Sequence, residues 1–433
     1  MNALLDVNRE LVPCEAARHA TQGFTERMVV RLLQSMPCGG LRMEHSDGRI
    51  RYFGKPGEPV TARVKLRDDA EFFKRCAFYG NIGMGEAYTD GLWDTDDIAA
   101  VIAWFIHNVN AMQGAQSSSS ALPGVNLLKL VNWFRHLRRE NTVETSRRNI
   151  AEHYDLGNEF YQLWLDPSMT YSSARFESAG QSLEAAQAGK YDALCRKLKL
   201  RSTDHVLEIG CGWGGFAVHA ARHYGCRITG VTISEAQAAY ARKRIEREGL
   251  QDRIEIRIQD YRHITGSFDK IASIEMLEAV GDKYHHSFFA KCAEVLTPEG
   301  LLGVQMITVP DCSYRSLKKN VDWIQKHIFP GSLLLSVGRI NDVLLQTGDL
   351  FMHDLEDLGA DYARTLSTWY ERFNAVKEQV RALGFDEPFM RSWDYYLKYC
   401  EAAFATRNIS VVQAVYTRPN NSSLHHHFGE GRG

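Results

Sequence analysis

The stretch VLEIGCGWGGFA, residues 206–217, limits the folds open to this chain more than any other: an apolar run breaks into four glycines within six positions. Gly210, Gly212 and Gly215 spell G-x-G-x-x-G. A glycine turn between a strand and a helix lets backbone approach a nucleotide-like ligand at the helix N-terminus. The surroundings repeat the strand–helix unit. HVLEIG (205–210), CRITGVTI (226–233), RIEIRIQD (253–260), KIASIEM (270–276) and GLLGVQMIT (300–308) read as strands, with alanine-rich helices at Gly215–His223 and Glu235–Glu248. That alternation predicts an α/β fold built on a parallel, doubly wound sheet. From Ser313 to Ala405 the pattern becomes helical and aromatic, and ISVVQAVYT (409–417) returns as a last strand.

At 433 residues the chain is too long for one ordinary domain. A flexible linker is expected at MQGAQSSSSALPG (112–124), where Ser, Gly and Pro replace apolar periodicity. Ahead of it, a helix at Phe24–Leu33, strands at Arg49–Phe53 and Val60–Val64, and helices at Asp68–Phe78 and Asp96–His107 predict a small α+β domain. YGNIGMGEAYTDGLWD (79–94) reads as a shaped loop whose glycines and Trp93 build turns and core. The tail NNSSLHHHFGEGRG (420–433) is polar and expected to be flexible, its histidines solvated rather than metal-bound. A net charge of −2 gives no basic field for nucleic acid. The nine cysteines form no C-x-x-C pair, so neither a disulfide framework nor a structural metal is expected. No signal-like apolar core opens the sequence and no run of about 18 apolar residues occurs, so a cytoplasmic protein that meets membranes from the surface is expected.

The glycine turn alone does not select its ligand. A dinucleotide site carries an acid about 20 residues on, for the ribose hydroxyls. Here the second strand ends in GVTIS, with Thr232 and Ser234 and no carboxylate before Glu235. Glu208, two residues before Gly210, is placed for an ammonium group, and Asp260, ending the third strand, for an adenine amino group. Ammonium plus adenine is the polar inventory of S-adenosylmethionine.

Further motifs make a family resemblance specific. NIAEHYDLGNEFYQLWLDPSMTYSSARF (149–176), LEIGCGWGG, GVTISEAQ (230–237), QDYR (259–262), EMLEAVG (275–281), WIQKHIFPG (323–331), GADYARTLSTWYERF (359–373) and YYLKYCEAAFATRNI (395–409) occur in order. Over 146–418 the chain resembles the cyclopropane fatty acid synthase family, and GMGEAYTDGLWD resembles the small N-terminal domain of its bacterial members. The resemblance implies a Rossmann-like class I methyltransferase sheet with a helical acyl-binding insertion, plus the small α+β domain. It divides the chain into a lipid-binding-like domain (1–111), a linker (112–145), a catalytic domain (146–419) and a tail (420–433).

It also implies methylene transfer from S-adenosylmethionine to the cis double bond of an unsaturated phospholipid acyl chain, closing a cyclopropane ring at the inner face of the membrane. Oligomeric state is left open, a homodimer included. Members bind bicarbonate as the base, held by Glu, His, Tyr and Cys. Mapped here, the catalytic residues are Glu278, Tyr362 and Cys400, with Ser173 and Gln305 standing where relatives have cysteine and histidine. Tyr171, Ser172, Gly210, Gly212, Gly214, Thr232, Gln237, Asp260 and Tyr261 would contact the cofactor. Ser and Gln still donate hydrogen bonds to an anion, but neither carries an imidazolium charge. The carbocation could therefore lose its proton elsewhere, giving a methylated or methylene product without a ring. FPGSLLLS (329–336) departs from the family's FPGG-x-LPS, which would reshape the acyl channel. Aromatics from Trp323 to Phe404 suit an apolar tunnel, and the basic runs FRHLRRE (134–140) and RSLKKN (315–320) would suit anionic headgroups. Two other readings are a small-amine N-methyltransferase and a catalytically dead lipid-binding protein; the N-terminal domain argues against the first, and the intact glycines, Glu278 and Tyr362 against the second.

Overall fold

The computed structural model describes residues 23–115 and 156–424. Most of the expected linker, the basic run 134–140 and the histidines of the tail lie outside the described residues. The chain divides into two compact units, and the division is not sequential: Gly384–Thr406 joins the N-terminal unit.

The first unit holds a four-stranded sheet in the order β2-β1-β3-β4: β1 Gly40–Glu44, β2 Ile50–Gly54, β3 Val60–Leu66 and β4 Trp93–Asp94. In β3 the alternation is strict, with Ala62, Val64 and Leu66 buried and Thr61, Arg63 and Lys65 exposed, as one half-buried face requires. Helices α1 Phe24–Gln34, α2 Asp69–Thr89 and α3 Ile98–Ala115 accompany the sheet. The segment read as a shaped loop is mostly helical: α2 continues through it to Thr89, broken only at Gly80, where φ 58° and ψ −130° leave the helical region. Its aromatic closes the core as expected, with Trp93 fully buried and its Nε1 donating to the Met84 carbonyl at 2.9 Å.

The second unit carries a seven-stranded sheet in the order β10-β11-β9-β8-β5-β6-β7. Its strands are β5 His205–Ile209, β6 Arg227–Thr232, β7 Ile254–Ile258, β8 Phe268–Ile274, β9 Leu296–Thr308, β10 Phe351–Asp357 and β11 Ser410–Thr417. β5 to β9 pair in parallel, and β11 inserts antiparallel between β9 and β10. Helices on its flanks are α4 Asn158–Gln162, α5 Leu183–Lys197, α6 Gly215–Tyr224, α7 Glu235–Arg247, α8 His285–Val295, α9 Asp311–Lys319, α10 Trp323–His327, α11 Val337–Thr347, α12 Gly359–Ala375 and α13 Lys377–Ala382. The doubly wound sheet is as expected. β10 escaped the sequence reading because Phe351 and Leu355 are exposed on an edge strand, so no buried run marks it. The chain leaves β5 toward β6 and β7 on one side and returns through β8 and β9 on the other. That switch point is where such sheets open a crevice at their carboxyl ends.

Candidate active site

Beyond Ile274, the last residue of β8, the chain enters Glu275 with φ at +48°, a left-handed conformation unusual for a non-glycine residue. Its amide still extends the ladder, donating to the Gln305 carbonyl at 2.8 Å. The Glu275 carboxylate collects three donors. The Ser173 N–H and Gln305 Nε2 each reach Oε1 at 2.8 Å, and the Tyr362 hydroxyl reaches Oε2 at 2.7 Å. Ser173 and Gln305 are fully buried, whereas Glu275 keeps part of its surface open.

The Gln305 amide is oriented from behind. Gln413 on β11, its cross-strand partner, donates to Gln305 Oε1 at 3.0 Å. Lys197 at the end of α5 holds Gln413 Oε1 at 3.0 Å and reaches Glu356 on β10. The neighbouring Lys190 is fully buried, its Nζ donating to Ser172 Oγ at 2.7 Å. Desolvation pushes Lys190 down to about 7, against the pull of Glu275, Asp166 and Glu208. Desolvation pushes Glu275 up, while Lys190, Gln305, Tyr362 and the Ser173 N–H hold it back. Glu278 follows in a single 3-10 turn. Its Oε1 takes the Ile307 N–H and its buried Oε2 has no partner. Desolvation and then the Glu275 charge push it to about 8.

One strand away lies the glycine turn. Gly210 and Cys211 N–H both donate to the Val231 carbonyl, at 2.9 and 3.0 Å, folding the chain back over β6. Gly210, Gly212 and Gly214 all have positive φ, and Gly214 starts α6. The residue after Glu275 touches this turn, since a Cβ on Gly210 would meet Met276 at 2.7 Å. Trp213 in the turn is pinned by Asn158 on α4 (Nε1 to Oδ1, 2.7 Å).

These residues fit S-adenosylmethionine. Glu208 is buried with Oε2 unpartnered, and desolvation lifts it to about 8, the signature of a carboxylate awaiting a cation. The buried Tyr261 hydroxyl has no partner either, and a Cβ at Gly212 would meet open space. Thr232 Oγ1 and Gln237 Oε1 lie 3.1 Å apart at the end of β6. Asp260 is less free than its sequence position implied. Arg262 grips both its oxygens at 2.8 Å and its backbone N–H takes Oδ1 again at 3.0 Å, leaving the second lone pair of Oδ2 for an amino group.

An aromatic wall adjoins the polar cluster. Tyr171 lies 5.3 Å from Trp369 and 5.4 Å from Tyr161, and Tyr362 meets Trp369 edge-on at 6.1 Å. Phe160, Trp164 and Phe373 continue the wall, all buried. The expected aromatics divide, however. Trp323, Phe329, Trp369, Tyr370 and Phe373 belong to the second unit, while Phe389, Trp393, Tyr395, Tyr396 and Phe404 belong to the first.

The structure thus brings Ser173, Gln305, Tyr362 and Glu278 together around Glu275. Ser173 acts differently from expectation: its backbone N–H meets the carboxylate, while its hydroxyl donates to the Ala174 carbonyl at 3.0 Å. Cys400 sits on the helix Glu387–Ala405 (α14), which packs on α2 and α3, and Gly384–Thr406, read as part of the catalytic domain 146–419, belongs to the first unit. One of the three basic residues of RSLKKN is also spoken for, because Lys318 pairs with Asp282. Sequence reasoning missed Glu275, Lys190 and Gln413. Gln413 carried a signal, a polar residue inside a strand buried on both faces. Lys190 gave none, since a lysine in a helix ordinarily faces water.

Comparison with known proteins shows the family and the fold. The mycolic acid cyclopropane synthetase family matches residues 141–414. The tuberculostearic acid methyltransferase of Mycobacterium tuberculosis is 35% identical, over 93% of this chain and 92% of its own. The cyclopropane-fatty-acyl-phospholipid synthase of Escherichia coli is 37% identical, over 84% of this chain and 90% of its own. A solved mycolic acid cyclopropane synthase complexed with SAH and CTAB superposes with a TM-score of 0.59 at 27% identity, covering 63% of this chain and 98% of that one.

Proposed function

Since this chain belongs to the mycolic acid cyclopropane synthetase family and is an S-adenosylmethionine-dependent methyltransferase, we propose that it acts on the cis double bond of an unsaturated phospholipid acyl chain, forming a cyclopropane ring. The observation that carries this reading is a buried polar cluster at the tip of β8, set between a glycine turn and an aromatic wall. An alkene is a weak nucleophile, so such a site must exclude water and fix the π face toward the donor.

S-adenosylmethionine supplies the electrophilic methyl group. Glu208, the glycine turn, Thr232, Gln237, Asp260 and Tyr261 are the residues that would hold it. Tyr171, Trp164 and Trp369 exclude water and present ring faces able to stabilise positive charge on the acyl chain. Glu278 offers its unpartnered Oε2 to a bound group.

A second reading, methylation without ring closure, is favoured by Glu275. The groups that the family resemblance assigns to bicarbonate here serve a protein carboxylate, so the proton can leave by another route. Lipids from cells expressing the protein, examined by mass spectrometry and proton NMR, decide between them. High-field cyclopropane signals support the first reading, and methylene or branched-methyl signals the second. No new lipid, with methyl transfer to a small amine instead, would overturn both.

Contact with the membrane belongs to the same reading. Among the described residues no helix is long and apolar enough to cross a bilayer. Along α1, Phe24, Met28 and Leu32 are exposed at helical spacing, flanked by the exposed Arg27 and Arg31. That face supports docking on an anionic lipid surface.

A further inference from the structure

We propose that Glu275 is the built-in base of this enzyme, taking the proton that the methylated acyl chain must lose, so that turnover needs no added anion. The inference rests on the lipid-methylating reading above. Its ground is the convergence of three donors, the Ser173 N–H, the Gln305 amide and the Tyr362 hydroxyl, on one carboxylate at the mouth of the sheet. Its partners are buried and held in place, Gln305 by Gln413 and Lys197 behind it. Glu275 alone in this set retains open surface, so it is the member a substrate can reach. The backbone points the same way. A glutamate at φ +48° is strained where glycine would rest, and strain of this kind persists where function requires the side chain. Met276 packs on Gly210, which sets the residue after Glu275 against the turn assigned to the methyl donor. Lys190 is the cation that acts on it, and burial together with the charge of Glu275 in turn keeps the neighbouring Glu278 protonated.

The step balances without another reagent. The π pair of the alkene forms a bond to the methyl carbon as the methyl–sulfur bond breaks, leaving neutral S-adenosylhomocysteine and a carbocation. Glu275 then accepts one proton. If it comes from the new methyl group, the freed electron pair closes the ring; if from a carbon next to the cation, the pair forms an alkene. The proton leaves Glu275 to solvent before the next turnover.

The test uses Glu275→Gly, which suits the left-handed backbone and opens a carboxylate-shaped gap facing the three donors. Full-length wild type and variant are assayed on vesicles of unsaturated phosphatidylglycerol in CO2-free buffer, with and without bicarbonate or formate. Wild-type turnover should change by less than about twofold, while the variant should lose about 100-fold and regain about tenfold with either anion. Bicarbonate should also raise the Tm of the variant and leave that of the wild type unmoved, a readout that needs no turnover. Glu275→Gln, which keeps the shape and loses the base, should stay inactive with or without anion. Strong bicarbonate dependence of the wild type would overturn the proposal. So would a folded Glu275→Gly that keeps full activity, or one that no anion rescues or stabilises. If the wild type methylates no lipid, the lipid reading falls, and the Tm comparison still decides whether Glu275 fills an anion site.

Discussion

At the scale of single residues, two buried acids within one unit are tuned by different surroundings. Glu278 at about 8 is largely protonated near neutrality, with Oε1 tied to backbone and Oε2 facing away unpartnered. Glu278→Gln preserves that shape and removes only the titration. The variant should therefore bind S-adenosylmethionine within about twofold of wild type and lose about 100-fold in kcat, measured by calorimetry and by methyl transfer. Unchanged turnover would remove Glu278 from the machinery. Glu208 makes a prediction of opposite kind. Its proton must leave when a cation arrives, because the cation favours the ionised form. Below about pH 8, affinity for S-adenosylmethionine should rise with pH, by up to about tenfold per unit, and flatten above it. Lys190, near 7, works in the same direction, since losing its proton relieves repulsion of the incoming cation. Titration calorimetry from about pH 6 to 9 would show the slope in the wild type and its reduction in Glu208→Gln. A flat wild-type profile would mean that Glu208 does not meet the cation.

At the scale of elements, the glycine turn separates a folding requirement from a binding one. Gly214, the N-cap of α6 at φ +79°, would bring a Cβ to 3.3 Å from Ala241, whereas Gly212 at φ +50° faces open space. Each alanine pays about 1–2 kcal/mol for the left-handed backbone. Only Gly212→Ala should add a selective loss of S-adenosylmethionine affinity beyond its effect on Tm, because its methyl group occupies space rather than protein. The two variants therefore divide in calorimetry; equal losses of affinity would place the ligand elsewhere. α1 gives a second element-scale test. Replacing Phe24, Met28 and Leu32 with serine should weaken partition onto anionic vesicles by about tenfold or more while leaving methyl transfer to detergent-dispersed lipid intact. Unaltered sedimentation with vesicles would discard this face as the docking surface. Such elements were legible in very unequal measure. β5, β6, β8, β9 and β11 announced themselves as apolar runs because both faces of the sheet are buried there, and the edge strand β7 by its alternation. β1 and the edge strand β10 did not, and the glycines at 80, 83 and 85 read as a loop although α2 merely kinks among them. Gln305, Tyr362 and Glu278 were found by motif. Glu275 stood inside the same EMLEAVG motif and went unremarked, since its importance lies in which donors meet it, and only the fold assembles those.

At the scale of the whole molecule, the informative residue run is 384–406. The composition break at 112–124 is visible in the sequence because Ser and Gly replace apolar periodicity, yet it does not mark the end of the first unit's membership. The apolar spacing of α14 says that the helix is buried and is silent about its partner. That partner is α2 and α3. Arg391 fastens the arrangement, donating to the Tyr88 and Trp93 carbonyls at 2.7 and 2.9 Å, pairing with Asp94, and lying 4.1 Å over the Tyr88 ring. Arg391→Ala removes two hydrogen bonds and the ion pair with Asp94, and should lower stability by about 2–3 kcal/mol in denaturant unfolding. A larger consequence follows for dissection of the chain. A protein starting at Trp133 keeps α14, with its buried Met390, Trp393, Tyr395 and Leu397, but loses α2 and α3, which pack on it. Aromatic side chains of this size each bury about 150–250 Å², so the uncovered face exceeds the roughly 400 Å² that a soluble surface tolerates. The shortened protein should bind a hydrophobic dye, associate on size exclusion, and unfold less cooperatively than the full chain, even though its glycine turn and β8 cluster are intact in sequence. Supplying residues 1–132 as a separate chain should reverse the dye binding by restoring α2 and α3 to α14. A monodisperse, cooperatively folded shortened protein would show that α14 does not depend on α2 and α3 for its cover.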